Sequence, residues 1–156
     1  MAIEKVRQYF AGLGIKNKIQ EFNTSSATVE LASLALGCAP QRIAKTLSFI
    51  VDNQAILIVT AGDRKIDNHK FKEVFNTKAK MLSHDEVESL IGHSVGGVCP
   101  FAVNNGVKVY LDESLKRFTS VFPACGSSNS AIERTIPELE KYSNYISWIN
   151  VCKEWE

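Results

Sequence analysis

Apolar residues recur at two different periods along this chain, and the switches between them set out the expected elements. Ile3, Val6, Phe10 and Leu13 fall at helical spacing and Gly14 follows, which predicts a helix over 2–13. A short extended piece is expected at 19–22. Thr24, Ser25 and Ser26 then offer capping hydroxyls for a second helix through Val29, Ala32 and Leu36, closed at Gly37. After Pro40 the period drops to two. Residues 43–51 read as a strand, Asp52-Asn53-Gln54 as a turn, and 55–60 as the buried partner. Asp67 is placed to cap a helix carrying Phe71, Val74 and Phe75, and a brief strand is expected at 80–82. Ser83 with Glu86 forms a capping box for a helix bearing Val87, Leu90 and Ile91, stopped by Gly92. Further strands are expected at 107–111, 120–124, 131–135 and 145–151, with a last helix started by Thr135, Pro137 and Glu138. Hairpins among interspersed helices exclude a purely parallel sheet. The expected class is α+β, a mixed and curved sheet flanked by helices, in a single domain over 1–156.

The strand at 43–51 singles out a residue for chemistry. Lys45, Leu47, Phe49 and Val51 share one face, while Thr46, Ser48 and Ile50 take the other. A lysine in register with an apolar row either snorkels to solvent or points into a polar cavity, where it must find a partner. A second candidate is Val95-Gly96-Gly97-Val98-Cys99-Pro100-Phe101. Its two glycines allow backbone geometry and close approach that a Cβ hinders, and Pro100 biases Cys99 away from helix. Such a loop presents backbone N–H and C=O groups to a substrate, or it is a tight turn from helix to strand. A third, Cys125-Gly126-Ser127-Ser128-Asn129-Ser130, supplies hydroxyls and amides to a pocket or forms a polar hairpin. Cys99 with His93 is a nucleophile pair only if folding joins them and something lowers the thiol pKa, and the sequence supplies no such feature.

Composition narrows the classes further. A chain of 156 residues with 45% hydrophobic content can bury a core and is not expected to be disordered. No apolar run approaches the roughly 18 residues of a membrane helix, and the first residues lack a secretory layout. The expected location is therefore cytoplasmic, with no membrane partner. Cys38, Cys99, Cys125 and Cys152 form no CxxC pair, so free thiols are expected. No ligand spacing supports a zinc site built from them with His69, His84 or His93, so neither metal nor cofactor is expected. The net charge of +1 conceals a basic middle: residues 42–80 hold eight Lys/Arg against four Asp/Glu. Arg42, Lys45, Arg64, Lys65 and their neighbours suit a phosphate backbone or an ordinary solvated face. Neither GxxxxGKS/T nor GxGxxG occurs, which removes Walker and Rossmann phosphate sites.

Taken in order, Ala44-Lys45-Thr46-Leu47, the loop at 95–101 and Val109-Tyr110-Leu111-Asp112-Glu113-Ser114 resemble the YbaK/EbsC family. That family is related to the editing domain inserted in bacterial prolyl-tRNA synthetases, and the likeness runs from about Phe22 to about Tyr142. The resemblance implies a partly barrel-like sheet and an enzyme, an aminoacyl-tRNA deacylase, that hydrolyses mischarged aminoacyl-tRNA in trans. It implies tRNA(Pro) carrying a small wrong amino acid as substrate, bound through its 3′ CCA end, and prolyl-tRNA synthetase as a second partner. By the same resemblance Lys45 contacts the terminal adenosine or its phosphate, and Gly96 and Gly97 present the catalytic backbone groups. Thr28, Thr46, Val98, Cys99, Pro100, Gly126 and Ser127 are the implied substrate-binding residues. A non-catalytic module of the same fold, holding aminoacyl-tRNA or a synthetase, and a hydrolase dependent on Cys99 are the alternatives.

Overall fold

The structure, a computed structural model, describes residues 2–14, 19–94 and 96–153. Its spine is the hairpin of β2 (Ile43–Val51) and β3 (Gln54–Ala61), antiparallel from Ala44 opposite Ala61 to Val51 opposite Gln54. The turn between them puts Asp52 at φ 51° and Asn53 at φ 62°. This is the left-handed pair that a two-residue turn needs and that Asp and Asn tolerate.

Strand β3 is buried over nearly its whole length and takes β4 (Lys108–Asp112) in parallel on its far side. Strand β8 (Ser147–Ile149) joins β4 in parallel. On the other flank β5 (Ser120–Pro123) runs parallel to the start of β2, and β7 (Arg134–Thr135) closes the edge antiparallel to β5. The order is β7-β5-β2-β3-β4-β8, a mixed sheet as expected. A second, two-stranded sheet pairs β1 (Gln20–Glu21) with β6 (Ser130–Ala131).

Helices cover both faces. On one, α1 (Ala2–Gly12) drives Val6 and Phe10 against Leu57, Val59 and Leu111, with Phe10 5.1 Å from the Phe101 ring. The helix α5 (Ile136–Ser143) adds Leu139 and Tyr142 to the same core. On the other face α3 (Asn68–Phe75) seats Phe71 on Phe49, Ile56 and Ile58. Each fully buried aromatic contributes about 1.5–3 kcal/mol of apolar burial. The helix α2 (Val29–Leu36) covers Ile43 and Phe122. Finally α4 (His84–Glu86) widens into a π-helical turn (Val87–Ile91) that stops at Gly92.

Several expectations shift for tertiary reasons. The cap of α2 is Thr28, not the 24–26 cluster, because the Phe22 and Ser26 amides donate to Asn129 and Ser128 carbonyls and hold that stretch extended. The expected strand at 80–82 is a single bridge, Met81 to Phe49. The expected strand at 131–135 divides into β6 and β7, because the Ile132 amide turns to Pro123 O and the chain passes from one sheet to the other. Both capping boxes, Ser83 with Glu86 and Thr135 with Glu138, form as expected.

Candidate functional site

The site lies where two strands part. Strands β2 and β5 pair only through Ile43 with Phe122 and Ala44 with Pro123. Farther along the same edge, Ser48 O accepts the Leu82 amide and the Ile50 amide donates to Lys80 O. Strand residues direct their N–H and C=O to alternate edges, so Thr46 shares the edge of Ser48 and Ile50. Among the described residues no strand stands opposite Thr46, and its main-chain groups face the gap. The gap opens into a cleft of about 550 Å³.

Lys45, Thr46, Thr28, Gly96 and Val98 all line this cleft. Five residues expected at the site from distant parts of the chain thus border one space. The Lys45 ammonium donates to the main-chain carbonyl of Arg64. Burial pulls its pKa below the ordinary lysine value, the nearby Cys152 and Asp63 oppose that pull, and Lys65 adds to it. The Thr46 hydroxyl is buried without a partner. The Thr28 hydroxyl accepts the Leu31 amide at 3.1 Å, capping α2 at the cleft wall. Gly96 holds φ +89°, and a Cβ there would come within 3.0 Å of Ala27 Cβ.

Five other expected residues stand elsewhere. The Gly97 amide donates to Ser94 O at 3.0 Å, and its carbonyl accepts the Gly126 amide at 2.8 Å, so Gly97 braces one loop against another. Gly126 and Ser127 line a separate cavity of about 340 Å³ with Glu88 and His93. Pro100 and Cys99 are buried, Cys99 completely. Val95, expected in the same loop, lies outside the described residues.

Cys99 and His93 do meet, with Sγ 3.5 Å from Nε2. That nitrogen also lies 2.7 Å from Phe101 O, and a carbonyl only accepts, so Nε2 carries the proton and cannot take one from the thiol. Burial pushes the Cys99 thiol up to about 12 and the imidazole pKa down. The pair is a packing contact. Among the described residues no group of three His, Cys, Asp or Glu side chains could hold a metal ion. No helix among them is long and apolar enough to cross a membrane.

Sequence reasoning missed part of the wall. His84, Met81 and Leu82 line the cleft because the Leu82–Ser48 bond lays their segment along β2. Ser130 and Ala131 reach it through β6. Long-range contacts, the Leu82–Ser48 bond and the bridge between Met81 and Phe49, reveal the first group. Among the described residues of the lining, Lys45 and His84 are titratable and none is a carboxylate. A cleft of this kind receives an anionic ligand more readily than a cationic one.

A family model for the aminoacyl-tRNA editing domain matches residues 24–142, and the chain belongs to that family. It is 54% identical over 157 residues to an uncharacterized protein, YwhH, of Bacillus subtilis (strain 168), covering 100% of both. It is 26% identical over 102 residues to a proline–tRNA ligase of Bacillus cereus (strain AH820), spanning 65% of this chain and 18% of the ligase. A solved structure described as a "putative trans-editing enzyme for prolyl tRNA synthetase" superposes with a TM-score of 0.88 at 25% identity, over 98% of each chain.

Proposed function

We propose that this protein hydrolyses the ester bond of mischarged aminoacyl-tRNA in trans, its substrate being tRNA(Pro) that carries a small non-cognate amino acid such as Ala, Cys or Ser. The observation that carries the reading is one of placement: Lys45 and the Gly96–Val98 bend border a single cleft. Family membership, the similarity to a proline–tRNA ligase and the trans-editing neighbour support the same class of substrate.

On this reading Lys45 exchanges the Arg64 carbonyl for a phosphate or hydroxyl of the 3′ terminal nucleotide. The aminoacyl group enters between the bend and β6. Water attacks the ester carbonyl, and main-chain donors at Thr46 and the bend hold the developing oxyanion. The tetrahedral intermediate expels the ribose oxygen, which takes up a proton, and free amino acid leaves. An aminoacyl ester is activated, so positioning and modest charge stabilisation suffice without a nucleophilic side chain.

Purified protein incubated with tRNA(Pro) charged with Ala, Cys, Ser or Pro tests this directly. Release of a small non-cognate amino acid, with a fall of about ten- to a hundredfold in kcat/KM for Lys45→Ala, is expected from loss of one charged hydrogen bond. Full activity of Lys45→Ala refutes the lysine's role. Saturable binding without release makes the protein a non-catalytic module of the same fold.

A further inference from the structure

The stretch at 109–114, singled out in the sequence beside the lysine and the glycine bend, supplies no residue to the cleft lining. Its polar members lead to the cleft by another route. Asp112 is 1% exposed at the end of β4. One carboxylate oxygen, Oδ2, accepts the Ser114 amide at 2.9 Å, and the other, Oδ1, accepts the Val151 amide at 2.9 Å. Each bond starts a chain of contacts, and both chains end on the segment 61–67.

The first chain runs through Ser114. Its hydroxyl accepts the Ala61 amide at 3.1 Å, and its carbonyl accepts Arg117 Nε at 2.9 Å. The Arg117 guanidinium then grips Asp63 with its two terminal nitrogens, at 2.6 and 3.1 Å. The second chain runs along 151–153. The Asp67 amide donates to Val151 O at 2.7 Å, Cys152 bridges Ile66, and the Lys153 amide donates to Lys65 O at 2.8 Å. Between these anchors lies Arg64, whose amide donates back to Ala61 O at 3.1 Å and whose carbonyl receives the Lys45 ammonium.

We propose that Asp112 is a positioning residue for Lys45: one buried carboxylate holds both clamps on the 61–67 segment and so fixes the carbonyl socket from which the ammonium reaches substrate. The proposal rests on Lys45 serving the activity proposed above. Asp112 touches neither substrate nor lysine, and acts through Ser114, Cys152 and Arg64. The geometry demands both of its oxygens as acceptors, because the Ser114 and Val151 amides arrive on different ones. Asparagine has one acceptor oxygen and must release one clamp.

The test measures Lys45 itself. Competitive labelling with acetic anhydride across a pH series, read by mass spectrometry against exposed Lys72, gives the titration midpoint of Lys45. Its charged neighbours are Asp63 and Lys65 on the socket segment, with the Cys152 thiol on the segment that bridges Ile66. In the wild type the midpoint is expected below the ordinary lysine value. In Asp112→Asn it moves up toward the ordinary lysine value, as the ammonium leaves the socket for water. The same variant loses at least about tenfold in kcat/KM for deacylation, carried by KM. A folded Asp112→Asn with an unchanged midpoint and unchanged KM overturns the proposal, even if its melting temperature falls. Should Asp112→Asn not fold, Ser114→Ala, which removes only the acceptor for the Ala61 amide, decides by the same labelling. Labelling needs no turnover, so a wild type that releases no amino acid refutes the deacylase reading while the midpoint still judges Asp112.

Discussion

The carbonyl of Gly97 accepts the amide of Gly126 at 2.8 Å, and the two backbones meet so closely that a Cβ on Gly97 would overlap the Ser127 amide. The clash is with main chain, so no rotamer relieves it. Gly97→Ala is expected to cost about 3 kcal/mol of stability, read as a lower urea midpoint. Gly96→Ala presses on Ala27 Cβ at 3.0 Å, reaches Ser128 Cβ at 3.5 Å and is strained at φ +89°, and should cost about 1–2 kcal/mol.

The buried thiol makes a second expectation. With its pKa pushed up to about 12, Cys99 is almost wholly protonated at pH 8 and sealed in the core. Native protein treated with iodoacetamide should alkylate at half-buried Cys38 well before Cys99, and Cys99→Ser should keep the proposed deacylase activity. Selective inactivation through Cys99 would restore the cysteine hydrolase that its contact with His93 suggests.

Lys45 couples function to pH through stability. Its folded pKa lies below the unfolded value of about 10.5, so the unfolded chain binds more protons between the two. The charged lysine therefore destabilises the fold fully below the folded pKa, and that penalty fades as pH rises toward 10.5. Melting curves of wild type and Lys45→Met should converge in favour of the wild type from neutral pH to about pH 10. A difference that does not change with pH would mean that the lysine is solvated in the native state.

Thr28 separates capping from binding. Thr28→Ala removes the acceptor for the Leu31 amide and should cost about 1 kcal/mol, measured by denaturant. Thr28→Asp keeps a competent cap but adds an anion to the wall of a cationic cleft. It should hold stability while raising KM for aminoacyl-tRNA, an effect that shrinks with added salt because exposed charges are screened.

Legibility in the sequence followed the range of the interactions. Strand β2 lies where the two-residue period placed it, because local alternation and the Asp52-Asn53 turn act within a few residues. The capping boxes at Ser83 and Thr135 were readable for the same reason. The cap of α2 was not, because Ser128 and Asn129, a hundred positions away, hold 22–26 extended. Within the site, Lys45 stood out as a charge in an apolar row. The two glycines of the bend carry the same letter and different duties, Gly96 on the cleft and Gly97 against a second loop. Only their partners across space tell them apart. His84 and Met81 belong to the cleft through the bonds of Leu82 to Ser48 and Ile50 to Lys80, which no local pattern announces.

The parting of β2 from β5 has a consequence for how such a protein can diversify. At the fork the polymer itself offers a donor and an acceptor, and these survive every replacement of the Thr46 side chain except proline, which has no N–H to give. The surrounding walls, built largely of small and aliphatic side chains, are then free to be resculpted for a different guest while the reactive frame stays intact.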